Sequence, residues 1–337
     1  MKSRGIVVTS LGLAPLAASA GEPAMSYLRT FGPAGDPGTR LGWGLGIVSI
    51  IVTVVIAVLL LAAILRRRAP PVDPRALAVD RDEGGMSWLY IGVGVSTVVL
   101  VGCAVWTMFT VAAVAMPARA ADLTLEVTAA QWWWGVRYKN AEPARIFTTA
   151  NEIHIPVGQP VRIELTSHDV IHSFWIPQLG GKMDVIPGQT NAMWLQADQP
   201  GIYRGQCGEY CGAQHAHMAM YVVADTPEVY ALWVRNQLRG AAAPATEPGR
   251  LDEQVFVAHC AACHAVRGTE AGGILGPDLT HLMSRGTIAA GLLPNTPGNL
   301  AAWIADSQAL KPGSRMPSLV LSGRDLSAVV TYLQTLD

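Results

Sequence analysis

From Leu41 to Leu65 the chain runs for 25 residues without a charge. At about 1.5 Å per residue, a helix of that length crosses a hydrocarbon core of about 30 Å. Arg66, Arg67 and Arg68 follow at once, and a second apolar run extends from about Trp88 to Met116 before Pro117. The segment between the runs, 66–87, carries five arginines, which assigns it to the cytoplasmic side of a membrane and both flanks to the other side. The length of both runs and the arginine cluster speak against a buried hairpin of a soluble protein. Gly92, Gly94, Ser96 and Gly102 give the second run a small-residue surface on which another membrane helix could pack. Cys103, within that run, reads as a packing residue. Half of the residues are apolar and the mean hydropathy is +0.30, as two spans require. A net charge of −1 offers no basic surface for nucleic acid.

Residues 1–20 combine Lys2 and Arg4, an apolar stretch and Ala18-Ser19-Ala20, the pattern of a secretory signal peptide cut after Ala20. Residues 21–40 are rich in Gly and Pro and read as an extracytoplasmic lead-in. The expected membrane hairpin then occupies 41–117, with spans at about 41–65 and 88–116.

Beyond Asp122 the period changes to two. Leu123–Val127, Glu152–Pro156 and Val161–Leu165 alternate, and Thr190–Gln196, Gly201–Arg204 and Ala219–Val223 add short runs. Short alternating strands separated by Gly and Pro predict an all-β sandwich or barrel over 118–239. Residues 240–250 are a linker by composition. After it, Leu251–His259, Leu300–Ala309 and Ser322–Leu336 predict a small helical module over 251–337.

Within the β region, Gly205–Met220 places Cys207, Cys211, His215 and Met218 at intervals of four, four and three. Soft sulfur and imidazole donors favour copper, zinc or iron–sulfur centres over magnesium or calcium. His172, at the end of a predicted strand 35 residues earlier, could supply a further ligand. Two Cys and two His could hold zinc in a tetrahedral site. Met218, a weak ligand that zinc does not use, and a nearby redox module point to copper. One cysteine suits a mononuclear site, whereas two spaced by four could bridge two coppers.

The redox module carries Cys260-Ala-Ala-Cys263-His264, the attachment pattern of a c-type haem. Both thiols would form thioethers and the imidazole would sit under the iron. Met316, 52 residues after His264, suits the opposite face and would raise the haem potential. Met283 is the alternative axial residue and reads as packing. His259 and His281 read as surface or propionate-side residues.

Taken together, the chain resembles subunit II of haem–copper cytochrome c oxidases, in the bacterial caa3 form with a fused C-terminal cytochrome c. The resemblance implies a two-helix transmembrane hairpin, an all-β cupredoxin-like Greek-key sandwich and an all-α class I cytochrome c domain. It implies a dinuclear CuA centre bound by His172, Cys207, Cys211, His215 and Met218, with Glu209 giving its backbone carbonyl. The Glu209 side chain would approach a magnesium ion shared with subunit I. In Gln131-Trp132-Trp133-Trp134, Trp132 would be the surface residue through which electrons arrive. Electrons would pass from an upstream bc1-type complex or small cytochrome to haem c, then CuA, then subunit I. Oxygen would be reduced there with proton pumping, beside a subunit III, in a bacterial inner membrane with the CuA and haem domains periplasmic.

Departures from the family concern its donor. His168 stands where relatives often have an acid, and Arg137, Lys139 and Arg145 follow the tryptophans. A docking field for a basic cytochrome is thereby weakened. A tethered donor, at an effective concentration on the order of millimolar, needs less steering. Gly84-Gly85 occupy the place of the family's proton-channel Glu, with Glu83 only nearby. Two further readings stay open: the CuA subunit of a nitric oxide reductase, and a copper storage or delivery protein. The haem motif argues against the last, since storage needs no haem.

Overall fold

The computed structural model describes residues 25–66 and 84–337. The signal peptide, its cleavage site, the arginine segment from Arg67 and Glu83 lie outside the described residues. Helices α1 (Asp36–Leu65) and α2 (Gly84–Ala115) form a pair, and both are long and apolar enough to cross a membrane. Their apolar side chains are exposed, as a lipid solvent requires. Helix α1 begins at Asp36, five residues before the uncharged run, with a Pro in its first turn. The helices touch where Gly44 leaves room for the indole of Trp106. A Cβ at Gly92, Gly94 or Gly102 would meet nothing within 4 Å among the described residues.

A sandwich follows, built from β1 (Leu123–Ala130), β2 (Trp133–Lys139), β3 (Phe147–Ala150), β4 (Glu152–Pro156) and β5 (Val161–Ser167). It continues through β6 (His172–Phe174), β7 (Met183–Val185), β8 (Asn191–Leu195), β9 (Gly201–Gln206) and β10 (Ala219–Asp225). One sheet has the order β3-β2-β1-β5-β8, the other β4-β10-β9, and β6 and β7 form a separate pair. The period-two pattern sets the register: Leu125 lies beside Ile163 and Val127 beside Leu165, all fully buried on one face. Each such side chain contributes about 1.5–3 kcal/mol of burial. Strand β6 is buried on both faces and so carries no alternation. Helix α3 (Pro227–Gln237), capped by Thr226, closes one flank and was not expected from the sequence.

The C-terminal module holds α4 (Glu247–Cys260), α5 (Pro297–Ala305), α6 (Ser307–Leu310) and α7 (Gly323–Leu333), around a core centred on Phe256 and Tyr332. Helix α4 starts four residues before Leu251, because Thr246 caps it and Pro248 suits its first turn. The helix expected over Leu300–Ala309 breaks at Asp306, whose carboxylate caps α6. A hairpin of β11 (Thr287–Ile288) and β12 (Leu293–Pro294) projects toward the sandwich. There Ala219 N–H donates to Ala290 O at 3.0 Å, and Gly286 N–H donates to Glu152 Oε2 at 2.9 Å.

Contacts at both helices and in the segment after α2 fix the sandwich in place: just before α1, Phe31 N–H donates to Gln178 O and Phe31 O accepts from Asp198 N–H, each at 2.8 Å. Trp194 Nε1 donates to Val114 O at 2.9 Å, and Arg119 Nη2 donates to Gly158 O at 2.6 Å.

Candidate metal centres

Strand β9 ends at Gln206 and β10 begins at Ala219, so residues 207–218 form a loop whose two ends meet: Cys207 N–H donates to Met218 O at 2.9 Å. Gln206 Nε2 holds His215 O at 2.9 Å, and Gly208 N–H donates to Ser173 O at 2.8 Å. The last bond ties the loop to β6, which begins with His172. A strand pair too short to be seen as alternation thus delivers the distant histidine.

The donors converge. Cys207 Sγ is 3.8 Å from His172 Nδ1 and 3.8 Å from Cys211 Sγ, and it lies 3.2 Å from Glu209 O. Cys211 Sγ is 3.6 Å from His215 Nδ1 and 3.8 Å from Met218 Sδ. His172, Cys207, Cys211 and Met218 are all buried, and ligand atoms of the first three lie within 4.8 Å of one another. Hydrogen bonding from Cys211, against the opposing effect of burial and with help from His172, draws the Cys207 thiol well below the ordinary thiol range. The same neighbour, then burial, pushes Cys211 up, because a second thiolate would stand beside the first. Such a pair takes up cationic charge readily.

Outside this ring, Asp169 organises the site. Burial opposes its ionisation, but bonds from His172 and from the Gln131 and Val170 amides hold its carboxyl below the ordinary range. Its Oδ1 accepts from His172 Nε2 at 2.9 Å. A carboxylate on one imidazole nitrogen leaves the other, Nδ1, facing the sulfurs, which is how metal-binding histidines are commonly oriented. The donor set therefore fits a soft-metal centre. Glu209 differs: its side chain is exposed, and Oε1 accepts from Tyr210 N–H at 3.2 Å. Among the described residues, no second group of three His, Cys, Asp or Glu side chains gathers around it.

Trp132 corrects an expectation. It is 8 % exposed rather than at the surface, because the segment 311–313 of the C-terminal module covers it. Its Nε1 and Gln131 Nε2 both donate to Cys211 O, at 3.0 and 2.8 Å. Arg137 and Lys139 pair with Glu126 and Glu164, so their charge is partly spent within the sheet.

In the C-terminal module, Cys260 ends α4 and the chain turns, with His264 N–H donating to Cys260 O at 3.0 Å. His264 Nδ1 donates to Pro277 O at 2.9 Å, and Gly276 lies so close that a Cβ there would stand 2.6 Å from His264 Cε1. Burial, offset in part by Pro277 and reinforced by Arg285, lowers the His264 pKa. The ring is therefore neutral with Nε2 free to bind iron, and a c-type haem fits. Met316 is half-buried against the module's core; Ser307 Oγ and Gln308 Nε2 hold its carbonyl, each at 2.7 Å. Met283 packs on the same core. His259 is exposed, whereas His281 is buried, with its ring nitrogens 2.9 and 3.1 Å from Asp337 O and Arg239 O. The surface reading of His281 fails because it ties the C-terminus to the linker's start.

Sequence reasoning passed over Asp169 as a site residue; its position three residues before His172 was the available signal. It also passed over Lys311, which nothing in the local sequence distinguishes from a solvated lysine.

Residues 139–225 match the family described as cytochrome c oxidase subunit II, periplasmic domain, and residues 253–337 match the cytochrome c family. Cytochrome c oxidase subunit 2 of Alkalihalophilus pseudofirmus is 42 % identical over 214 residues, 63 % of this chain and 60 % of that protein. The subunit 2 of Bacillus sp. strain PS3 is 31 % identical over 226 residues, 64 % of this chain and 62 % of that protein. The crystal structure of the periplasmic domain of subunit II of cytochrome oxidase from Bradyrhizobium japonicum is 32 % identical, with a TM-score of 0.33, over 36 % of this chain and 96 % of that one. The chain thus spans about three-fifths of the length of the curated relatives it matches.

Proposed function

Because this chain joins a cytochrome c oxidase subunit II periplasmic domain, of cupredoxin-like fold, to a cytochrome c domain, we propose that it relays electrons from haem c to a CuA centre and on to a membrane partner. Cys260 and Cys263 would hold the haem covalently, and His264 and Met316 would be the residues offered to its iron. His172, Cys207, Cys211, His215, Met218 and the carbonyl of Glu209 would hold two coppers. When bound, these groups supply one-electron redox couples; the residues of the chain set their positions. The two cysteines place two sulfurs 3.8 Å apart, where both could serve the same copper pair. Buried Met218 keeps water from them, and Asp169 holds His172 in the orientation that presents Nδ1. Trp132, donating to the Cys211 carbonyl beneath the cytochrome segment, provides the covalent and hydrogen-bonded route between the domains.

The observation that carries this reading is the packing of residues 311–313, which lead to Met316, against Trp132, whose indole is bonded to Cys211 O. The haem-side and copper-side shells share one contact. On this reading the membrane partner is subunit I of a haem–copper oxidase, where oxygen is reduced with proton pumping, in a bacterial inner membrane with these domains outside. Subunit III and an upstream cytochrome or bc1-type donor complete the assembly. The exposed Glu209 carboxylate is available to a magnesium ion at the subunit I face.

Paramagnetic resonance of the oxidised complex tests the copper assignment. A mixed-valence dinuclear signal is expected. Cys207→Ser or Cys211→Ser should abolish it, whereas Met218→Leu should keep it and shift the potential. A mononuclear spectrum, or bound zinc alone, refutes the reading.

A further inference from the structure

Lys311 is 2 % exposed and has no carboxylate partner among the described residues. Its Nζ donates to three carbonyls instead: Trp132 O at 2.8 Å, His217 O at 2.8 Å and Ala289 O at 2.9 Å. Two of these belong to the copper domain: Trp132, between β1 and β2, and His217, within the metal loop. The third belongs to the cytochrome domain, as does Lys311 itself. Burial pushes the amine down to about 7, yet three acceptors at these distances are served together only by an ammonium, with its three N–H donors.

The third carbonyl comes from a strained turn. Ala289 and Ala290 have φ of 55° and 61°, and Gly291 follows at 76°. Left-handed backbone is unfavourable for a non-glycine residue, and two such alanines in succession persist only where surroundings over-determine them. Here the turn aims Ala289 O at Lys311 and Ala290 O at Ala219 N–H, the residue after Met218. Gly291 closes on the same place: a Cβ there would stand 2.9 Å from Ala219 Cβ. Neighbouring bonds reinforce the seam. Gln214 Nε2 donates to Pro312 O at 3.0 Å, and Arg315 pairs with Asp169 at 3.2 Å.

We propose that Lys311 is a positioning residue that fixes the cytochrome domain in one register on the copper domain, so that the segment leading to Met316 stays seated on Trp132. The inference rests on the relay reading. Among the described residues, only Lys311 bridges Trp132, the metal loop and the strained turn through one atom. Removing its donors leaves three carbonyls facing an apolar group, which is unfavourable for each buried acceptor that loses its partner. The strained turn then loses a partner as well.

The test uses the purified complex containing the full chain, as wild type, Lys311→Met and Lys311→Gln. Flash reduction of haem c followed by copper absorbance measures transfer between the domains, and hydrogen exchange at the Ala219 amide measures docking. Lys311→Met should slow transfer severalfold or more, because tunnelling falls steeply as the haem and copper shells separate. It should also raise Ala219 exchange by about tenfold or more, while the haem spectrum and copper signal stay unchanged. Lys311→Gln, with two N–H donors, should fall between. If the methionine variant does not accumulate, the glutamine variant decides by the same readouts. Unchanged transfer overturns the proposal, whether or not Ala219 loses protection, since a purely structural lysine would alter exchange alone. Should the wild type show no transfer to copper, the relay reading fails, and Ala219 exchange still decides whether Lys311 holds the domains together.

Discussion

Replacing Asp169 separates the placement of His172 from the charge beside it. Four donors converge on this carboxylate. Oδ1 accepts from Val170 N–H at 2.8 Å and from His172 Nε2 at 2.9 Å. Oδ2 accepts from Gln131 N–H at 2.8 Å and from Arg315 Nη2 at 3.2 Å. An asparagine has one oxygen, so its amide nitrogen must confront one of these two pairs. Turned toward Val170 and His172, it loses two short bonds. Turned toward Gln131 and Arg315, it loses one short bond and one exposed ion pair. The second arrangement costs about 1–3 kcal/mol for the orphaned Gln131 amide, and at most about 1 kcal/mol more for Arg315. Asp169→Asn should therefore destabilise the sandwich modestly and leave His172 in place. Asp169→Ala removes the acceptor from His172 Nε2 altogether, and loss of such an outer partner lowers metal affinity about 10–100-fold. A chelator competition on the copper-loaded protein, paired with thermal unfolding, reads both quantities. Copper affinity in Asp169→Ala equal to wild type would refute the argument. Equal copper loss in both variants would show that charge, and not placement, is what His172 requires.

Two further outcomes follow from other parts of the chain. Gly276→Ala puts a Cβ against the His264 ring and should cost about 1–3 kcal/mol by overpacking, with a shifted haem absorption spectrum; an unchanged spectrum and melting temperature would count against the fit. His154, stacked on Trp233, sits between Asp225 and Glu152 at 2.7 and 3.3 Å. Burial works against its protonation, but those two carboxylates outweigh it and raise its pKa. A raised folded value means stability that is fully present below the ordinary imidazole range and is lost as pH rises through the elevated value. Melting temperature should fall over that interval in the wild type and stay flatter in His154→Gln; parallel slopes would exclude His154 as the cause.

Much of this molecule could be read from residue order. Alternation gave Leu123–Val127 and Val161–Leu165 because each strand has one buried and one wetter face. Cys207, Cys211, His215 and Met218 were visible because one loop supplies all four. His172 was harder to place, since β6 is buried on both faces and only its pairing with β7 makes it a strand. Trp132 and Lys311 were out of reach for a different reason. A tryptophan after a strand and a lysine in a Pro-Gly loop both read as surface residues, and each is buried only because two domains meet there. Contacts across a seam have no period and leave no local mark.

The bond between Trp194 and Val114 bears on the whole assembly. The last carbonyls of a helix have no partner within it, and at the edge of a hydrocarbon layer water is scarce. The indole closes one of them and in the same stroke rivets the sandwich to the top of α2. The sandwich is then mounted, not moored. The indole bond at the end of α2, the paired backbone bonds of Phe31 just before α1 and the Arg119 bond within residues 116–122 together hold the sandwich at a fixed height above the lipid.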